Sequence, residues 1–489
     1  MQEALTSLLD NYRSRFTQVL ATHPALAQSL ARDDAALTGQ LERVWTGSDY
    51  AASVCLETPD ILQNLLTSGD LQRNYADWSA HLEQCVTQAG IELADVSERL
   101  KKQLRWFRKR EYLRIMWRDL VGTSPLMDTT RDLSLLADSC LHYALRELTP
   151  VCHALYGLPL DAQGHEQQMI VLAMGKYGAY ELNLSSDIDL VLVFPEGGET
   201  TLTPEFKQQH PRAQQVTIQQ YFCKLGQLLN AVLDTTTADG FVFRVDLRLR
   251  PYGSAGALAL PVDAMEEYYL TQGRDWERFA MIKARAVTGD PGPIAELMQV
   301  LRSFTYRRYL DFATIESLRA LKLQIEQQVR RKGLHNNIKL GRGGIREIEF
   351  IVQVLQLIFG GRHVHLQCNS LLLAMQGLVQ EGCLPAADAS ALEDSYYFLR
   401  RLEHTIQGLE DKQTHLYPDD ALSELRCAIV LGFADAQALR TSLESVRDTV
   451  ASLFAQLITD SSGDKQDRVD KDLAQVWCGG LDDDKALEL

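Results

Sequence analysis

Long apolar runs are missing from this 489-residue chain. No stretch approaches the roughly 20 residues needed to cross a bilayer, and the N-terminal MQEALTSLLDNYRSRF has no cleavable apolar centre. A soluble, cytoplasmic protein without a membrane partner is expected. Paired cysteines are missing too. The nine cysteines are scattered, with no C-x-x-C and no zinc spacing, so a disulfide framework is excluded and reduced, buried thiols are expected. His363 and His365 stand together without companion ligands and read as loop or packing residues. Excess positive charge is absent: 49 Lys and Arg face 65 Asp and Glu, a formal net charge of −16. General nucleic-acid binding relies on a basic surface, so no nucleic-acid partner is expected. The chain also lacks GxxxxGK[ST] and GxGxxG, which removes P-loop and dinucleotide-binding readings.

What is present is MIVLAMGKYGAYELNLSSDIDLVLVF, Met169 to Phe194. Two apolar runs flank a glycine-containing turn and an Asp pair. Strand side chains alternate faces, so Asp187 and Asp189 project from one side, a few ångströms apart. Two ionised carboxylates repel, and an all-oxygen donor set favours Mg²⁺ or Mn²⁺ between them. A third acid, Asp246, lies in FVFRVDLRLRP, where Phe241, Phe243, Val245 and Leu247 suggest one face of a strand and Asp246 the other. Three carboxylates can hold two metals, as in-line phosphoryl or nucleotidyl transfer requires. Gly175 and Gly178 allow close backbone approach to a phosphate, Lys176 adds a cation, and Ser185 and Ser186 lead into the acids.

Further phosphate-binding candidates follow. Arg248 and Arg250 succeed Asp246 at strand spacing, either to stabilise phosphate or to pair with Asp187 or Asp189. In MIKARAV, alternation suggests a strand presenting Lys283 and Arg285 on one face. Gly341, Gly343 and Gly344 precede a helix starting near Ile345, whose N-terminus could hold an anion beside Lys339, Arg342 or Arg346, or could be a tight turn only. Glu349 interrupts that mostly apolar helix; it either contacts an arginine or reaches the metal–phosphate site. The basic stretch Lys101 to Asp119 reads as a solvated helix face paired to the protein's own acids, with contact to an acidic protein as the alternative.

The expected architecture is α+β and predominantly helical. Residues 1–160 form an N-terminal helical region, 161–295 a small mixed-sheet catalytic core with helices against one face, 296–460 a helical bundle, and 461–489 a polar linker or tail. Core strands are expected near 168–174, 188–194 and 241–249, with a helix around 213–233. In the bundle, Ile315, Leu318, Ile325 and Val329 repeat helically before Gly333, residues 345–359 form a buried helix, and Leu439, Leu443, Val446, Val450, Phe454 and Leu457 repeat again.

The motifs AMGKYGAYELNLSSDIDL, RVDLRLRPYGSAG, GRDWERFAMIKARAV and NIKLGRGGIREIEFIVQVLQL resemble the glutamine synthetase adenylyltransferase/adenylyl-removing enzyme, within the nucleotidyltransferase superfamily typified by DNA polymerase beta. The resemblance runs from about Ser48 to the acidic tail, departing at Tyr177 and at Ala179-Tyr180. RRYLDF, IKLGRGGIREIEF and GGR point to the N-terminal, removing half of that family. The resemblance implies phosphorolysis of adenylyl-tyrosine on glutamine synthetase by inorganic phosphate, giving ADP, with Mg²⁺ or Mn²⁺ held by Asp187, Asp189 and Asp246. It also implies ATP or ADP binding and control of nitrogen metabolism by a PII-type signal protein, uridylylated for removal. Adenylylation from ATP and a non-catalytic regulatory module are the alternatives. With one SDxD in the chain, a fragment of a bifunctional protein or a stand-alone removing enzyme is expected.

Overall fold

The computed structural model describes residues 2–32, 34–306 and 336–459. The segment RRYLDF, the repeat over 315–329 with Gly333, and the polar region 461–489 lie outside the described residues.

Helices fill the first third of the chain, from Gln2–Thr22 to Leu126–Tyr156. Helix Val96–Val121 starts at Asp95, whose carboxylate accepts from Glu98 N–H and so satisfies one of the free amides of the first turn. This helix carries the basic stretch, and most of its arginines are paired to the protein's own acids as read, while Arg105 donates to the Gly240, Lys101, Val232 and Thr235 carbonyls. The arginines are buried, however, not solvated. Arg110 reaches Asp70 and Glu111, Arg114 reaches Glu111 at 2.6 Å, and Arg118 reaches Asp132 at 3.0 Å. Burial arises because neighbouring helices pack around this one, including Trp78–Ala89, Leu126–Tyr156 and Ile218–Asp234. Buried guanidinium groups then require partners. Burial alone would raise Glu111, but Arg114, His81 and Arg110 outweigh it and hold the carboxyl down at about 2.

The sheet has five strands: β1 (Ile170–Ala173), β2 (Ile188–Phe194), β3 (Val245–Asp246), β4 (Ala259–Pro261) and β5 (Arg285–Ala286). β1 pairs antiparallel with β2 and β5, whereas β2 pairs parallel with β3 and β4. Helices cover both faces, not one. Val171, Ala173, Leu190 and Leu192 pack towards Leu126–Tyr156 and Ile218–Asp234, while Ile170, Leu172, Val191 and Val193 meet Val262–Thr271 and Pro291–Thr305. A strand buried on both sides has no polar alternation, which is why β1 and β2 read as unbroken apolar runs. The first hydrophobic core also runs continuously from Trp78 to Ala259, so the N-terminal helices and the sheet share one interior.

Two strand expectations are corrected. The 241–249 strand shrinks to Val245–Asp246, because the chain then folds into a loop closed by Arg250, whose guanidinium donates to Leu247 O at 2.6 Å and to Ser254 O and Gly256 O at 3.3 Å. In MIKARAV, helix Asp275–Ile282 continues through Met281 and Ile282, leaving only Arg285–Ala286 as strand. The bundle comprises Ile345–Phe359, Leu371–Gln380, Ala386–Glu410, Ala421–Leu431 and Ala436–Thr459 around a second core. Helix Ile345–Phe359 is buried as expected.

Candidate active site

Parallel pairing of β2 with β3 places Asp189 in register with Asp246, and Asp187 leads into the same strand end. One oxygen from each of the three carboxylates lies within 4.8 Å of the others. Burial pushes Asp189 up to about 7, reinforced by Asp187 and Asp246 and opposed by Lys339 and Arg248. So crowded a set of hard oxygen donors resists carrying full negative charge unaided, and it fits a divalent cation of the Mg²⁺ or Mn²⁺ type.

The glycine turn presses against these acids. Residues Gly175–Gly178 form one short helical turn directly after β1. Gly175 has φ +55°, and a Cβ there would stand 2.9 Å from Asp189 Oδ2, so a side chain would intrude on the carboxylate. Met174 N–H donates to Asp189 O at 2.9 Å, tying the turn to β2. Gly178 has no room for a side chain against the Lys283 and Ala173 carbonyls. Ser185 is buried, with its N–H on Gln407 Oε1 at 3.3 Å and its Oγ accepting from Arg244 at 3.1 Å; Ser186 is half-buried.

The basic candidates divide by partner. Arg248 grips Asp246, with its backbone N–H 2.8 Å from Oδ1 and Nη2 2.6 Å from Oδ2, so it borders the cluster. Arg250 closes its own loop as described. Lys176 donates to both oxygens of Glu403 at 2.8 and 2.9 Å. Lys283 lies buried between Glu181 at 2.9 Å and Glu349 at 2.8 Å, and Arg346 stands 3.6 Å from Glu349, so Glu349 is paired with a lysine first and an arginine second. Arg285 holds Asp138 with two 2.9 Å bonds and lies over the Tyr180 ring. In the glycine loop before Ile345–Phe359, Gly343 has φ +68° against the Arg447 carbonyl, its N–H donates to Glu347 Oε2 at 3.0 Å, and Gly344 is the N-cap. Lys339, just before that loop, is half-buried.

Residues missed from the sequence complete the surroundings. Gln413 donates from Nε2 to Asp187 Oδ1 at 2.9 Å. Arg400 donates to Glu181 O at 2.6 Å and Asn183 Oδ1 at 2.5 Å, and it lies 3.3 Å from Glu403. Glu181 and Glu403, both fully buried, thus knit the turn to the bundle. Burial favours the neutral acid at Glu403, yet Lys176, His415 and Arg400 hold it well below the usual carboxylate range. No local pattern signals these contacts, since 227 residues separate Lys176 from Glu403.

An acid pair at the head of one strand, a third acid in register on its parallel neighbour, and a glycine turn packed on the carboxylates define a nucleotidyltransferase-type core. The family model described as glutamate-ammonia ligase adenylyltransferase matches residues 38–300, and the chain belongs to that family. A second model, described as GlnD PII-uridylyltransferase, matches residues 319–458. Among curated relatives, a bifunctional glutamine synthetase adenylyltransferase/adenylyl-removing enzyme of Hahella chejuensis is 47% identical over 450 residues, covering 91% of this chain and 45% of the relative. Its namesake in Pseudomonas syringae pv. tomato is 44% identical over 477 residues, covering 97% and 47%. The chain therefore spans about half the length of the curated relatives it matches. Among the described residues no helix is long and apolar enough to cross a membrane.

Proposed function

We propose that this chain removes AMP from adenylylated glutamine synthetase by phosphorolysis. An oxygen of inorganic phosphate attacks the AMP phosphorus, the bond from phosphorus to the tyrosine oxygen breaks, and ADP and the free tyrosine hydroxyl result. The single observation that carries this reading is the register of Asp189 with Asp246, with Asp187 alongside. Asp187, Asp189 and Asp246 would hold Mg²⁺ or Mn²⁺, and such ions supply charge neutralisation at the attacking and leaving oxygens. Gly175 keeps the turn close to Asp189, and Arg248 fixes the orientation of Asp246 while adding positive charge at the edge of the cluster. Lys176, Lys283 and Arg285 act by holding that turn to its surroundings.

The removing direction is supported by IKLGRGGIREIEF and by relatives whose names carry both activities. The same names favour a second reading, AMP transfer from ATP to the tyrosine. Incubation of adenylylated glutamine synthetase with the chain, Mg²⁺ and inorganic phosphate separates the two. ADP release supports removal; no ADP, alongside AMP incorporation from ATP into unmodified glutamine synthetase, defeats it. A PII-type signal protein as regulator, in its uridylylated form, is part of the proposal and draws support from the match over residues 319–458. A cytoplasmic location accords with these partners.

A further inference from the structure

The bundle reaches the acids through a short ribbon. Residues 336–341 precede helix Ile345–Phe359, residues 411–417 follow helix Ala386–Glu410, and the two segments pair through an antiparallel bridge between Asn337 and Leu416. Ile338 N–H donates to His415 O and Tyr417 N–H to Asn336 O, both at 2.8 Å. The ribbon is anchored on the segment that leads into the acids. Gln407 accepts from Ser185 N–H and donates to Thr414 O, each at 3.3 Å. The Tyr112 hydroxyl lies between Leu184 O and Asp411 Oδ1, the latter at 2.9 Å. Gln413 then touches Asp187 itself.

Lys339 sits on the opposite strand of this ribbon. Its backbone N–H donates to Asn337 Oδ1 at 2.9 Å, and among the described residues its ammonium has no partner. The Asn337–Leu416 bridge and the bond from Ile338 N–H to His415 O set Lys339 across the ribbon from the segment that carries Gln413 onto Asp187. Most other cations around the site already hold carboxylates: Lys176 with Glu403, Lys283 with Glu181 and Glu349, Arg285 with Asp138, Arg248 with Asp246, and Arg342 with Asp448; Arg244 is engaged with the Ser185 hydroxyl and Arg250 with the carbonyls of its own loop. An incoming phosphate dianion is repelled by three carboxylates, so it needs a cation that is not already neutralised.

We propose that this ribbon is the second half of the active site: Gln413 is a positioning residue for Asp187, and Lys339 is the cation that receives the attacking phosphate. The assignment rests on the phosphorolytic reading. In the reaction Lys339 neutralises charge on the phosphate while one phosphorus–oxygen bond forms and the bond to tyrosine breaks; the electron pair leaves on the tyrosine oxygen, which takes up the proton that hydrogen phosphate gives up. The nucleotidyltransferase core thus supplies the acids, and the bundle supplies the anion site and the orientation of one acid.

Two titrations on the full chain test this, Mn²⁺ by electron paramagnetic resonance and ³²P-phosphate by equilibrium dialysis in Mn²⁺. Lys339→Ala should weaken phosphate binding by roughly tenfold or more while leaving Mn²⁺ affinity unchanged or tighter, because a neighbouring cation has gone. Lys339→Arg should retain phosphate binding. Gln413→Ala should weaken Mn²⁺ binding by roughly tenfold at unchanged melting temperature, since Gln413 is exposed and leaves no cavity. Variants that bind both ions as the wild type does would overturn the assignment, and so would a Lys339→Ala that loses both together. Should the wild type release no ADP from adenylylated glutamine synthetase while the two titrations still separate as described, the phosphorolytic reading falls and the ribbon remains an anion- and metal-orienting element.

Discussion

Lys176, on the glycine turn, is held by both carboxylate oxygens of Glu403, on a bundle helix, at 2.8 and 2.9 Å. The pair ties the turn beside the acids to the helical half of the molecule. Burial and the charges of Arg400 and Lys339 draw Lys176 down to about 7 even with Glu403 pulling the other way. The lysine's charge therefore depends on that carboxylate.

Glu403→Gln should destabilise the protein by about 3–5 kcal/mol, the range for breaking one half of a buried ion pair. Removing the lysine as well, in Lys176→Met with Glu403→Gln, should recover part of the loss, since the lysine charge is then gone while Arg400 loses this carboxylate but keeps Glu181 O and Asn183 Oδ1. Urea unfolding of the single and double variants measures this, and a double variant no more stable than Glu403→Gln would show that the pair is not the source.

Without metal, stability should fall as pH rises. Asp189 is raised in the folded protein from 3.8 to about 7. Below pH 4 it is protonated in both states and contributes nothing; between about 4 and 7 the unfolded chain ionises while the folded one resists, so folding weakens across that window. Melting temperatures in chelator from pH 4 to 8 should therefore show a decline that Asp189→Asn reduces. An equal slope in that variant would remove Asp189 as its cause.

The acids were legible because their information is local. Asp187 immediately precedes an apolar strand whose first two residues are Ile188 and Asp189, and Gly175 follows another strand. The ion pairs of Lys283 and Arg285 were not, because their partners Glu181, Glu349 and Asp138 lie 102, 66 and 147 residues away. Glu349 shows the intermediate case: its burial on an apolar helix was readable, its lysine partner was not. Likewise the alternation at Phe241–Leu247 suggested a long strand, but Arg250 satisfies three carbonyls within its own loop and ends the pairing. Sequence periodicity reports which face is buried; it does not report which distant charge neutralises a buried one.

Mg²⁺ should stabilise the wild type, because an ion that binds only the folded state shifts unfolding by mass action and relieves the repulsion among the carboxylates. At a hundredfold excess over its dissociation constant the gain is about 2.7 kcal/mol. Asp187→Asn should abolish turnover, keep a melting temperature near that of the metal-free wild type, and lose the Mg²⁺ response. Equal Mg²⁺ shifts in both proteins would place the ion elsewhere.

Asp246 should separate binding from chemistry. Asp187 and Asp189 flank Ile188 and can ligate one ion between them, whereas Asp246 joins from the neighbouring strand with its carboxylate oriented by Arg248. An ion that depends on Asp246 would serve the attacking and leaving oxygens more than the resting nucleotide. Asp246→Asn should therefore retain most of the affinity for ADP with Mg²⁺ yet lose roughly a thousandfold or more in single-turnover ADP release, because the lost interaction strengthens only in the transition state. The same substitution removes one ion pair of Arg248 at a half-exposed position, so the fold should persist and melting temperature should change little. Nucleotide binding by calorimetry beside rapid-quench ADP release decides the matter, and a variant within about tenfold of wild type in the release step would remove Asp246 from the catalytic set.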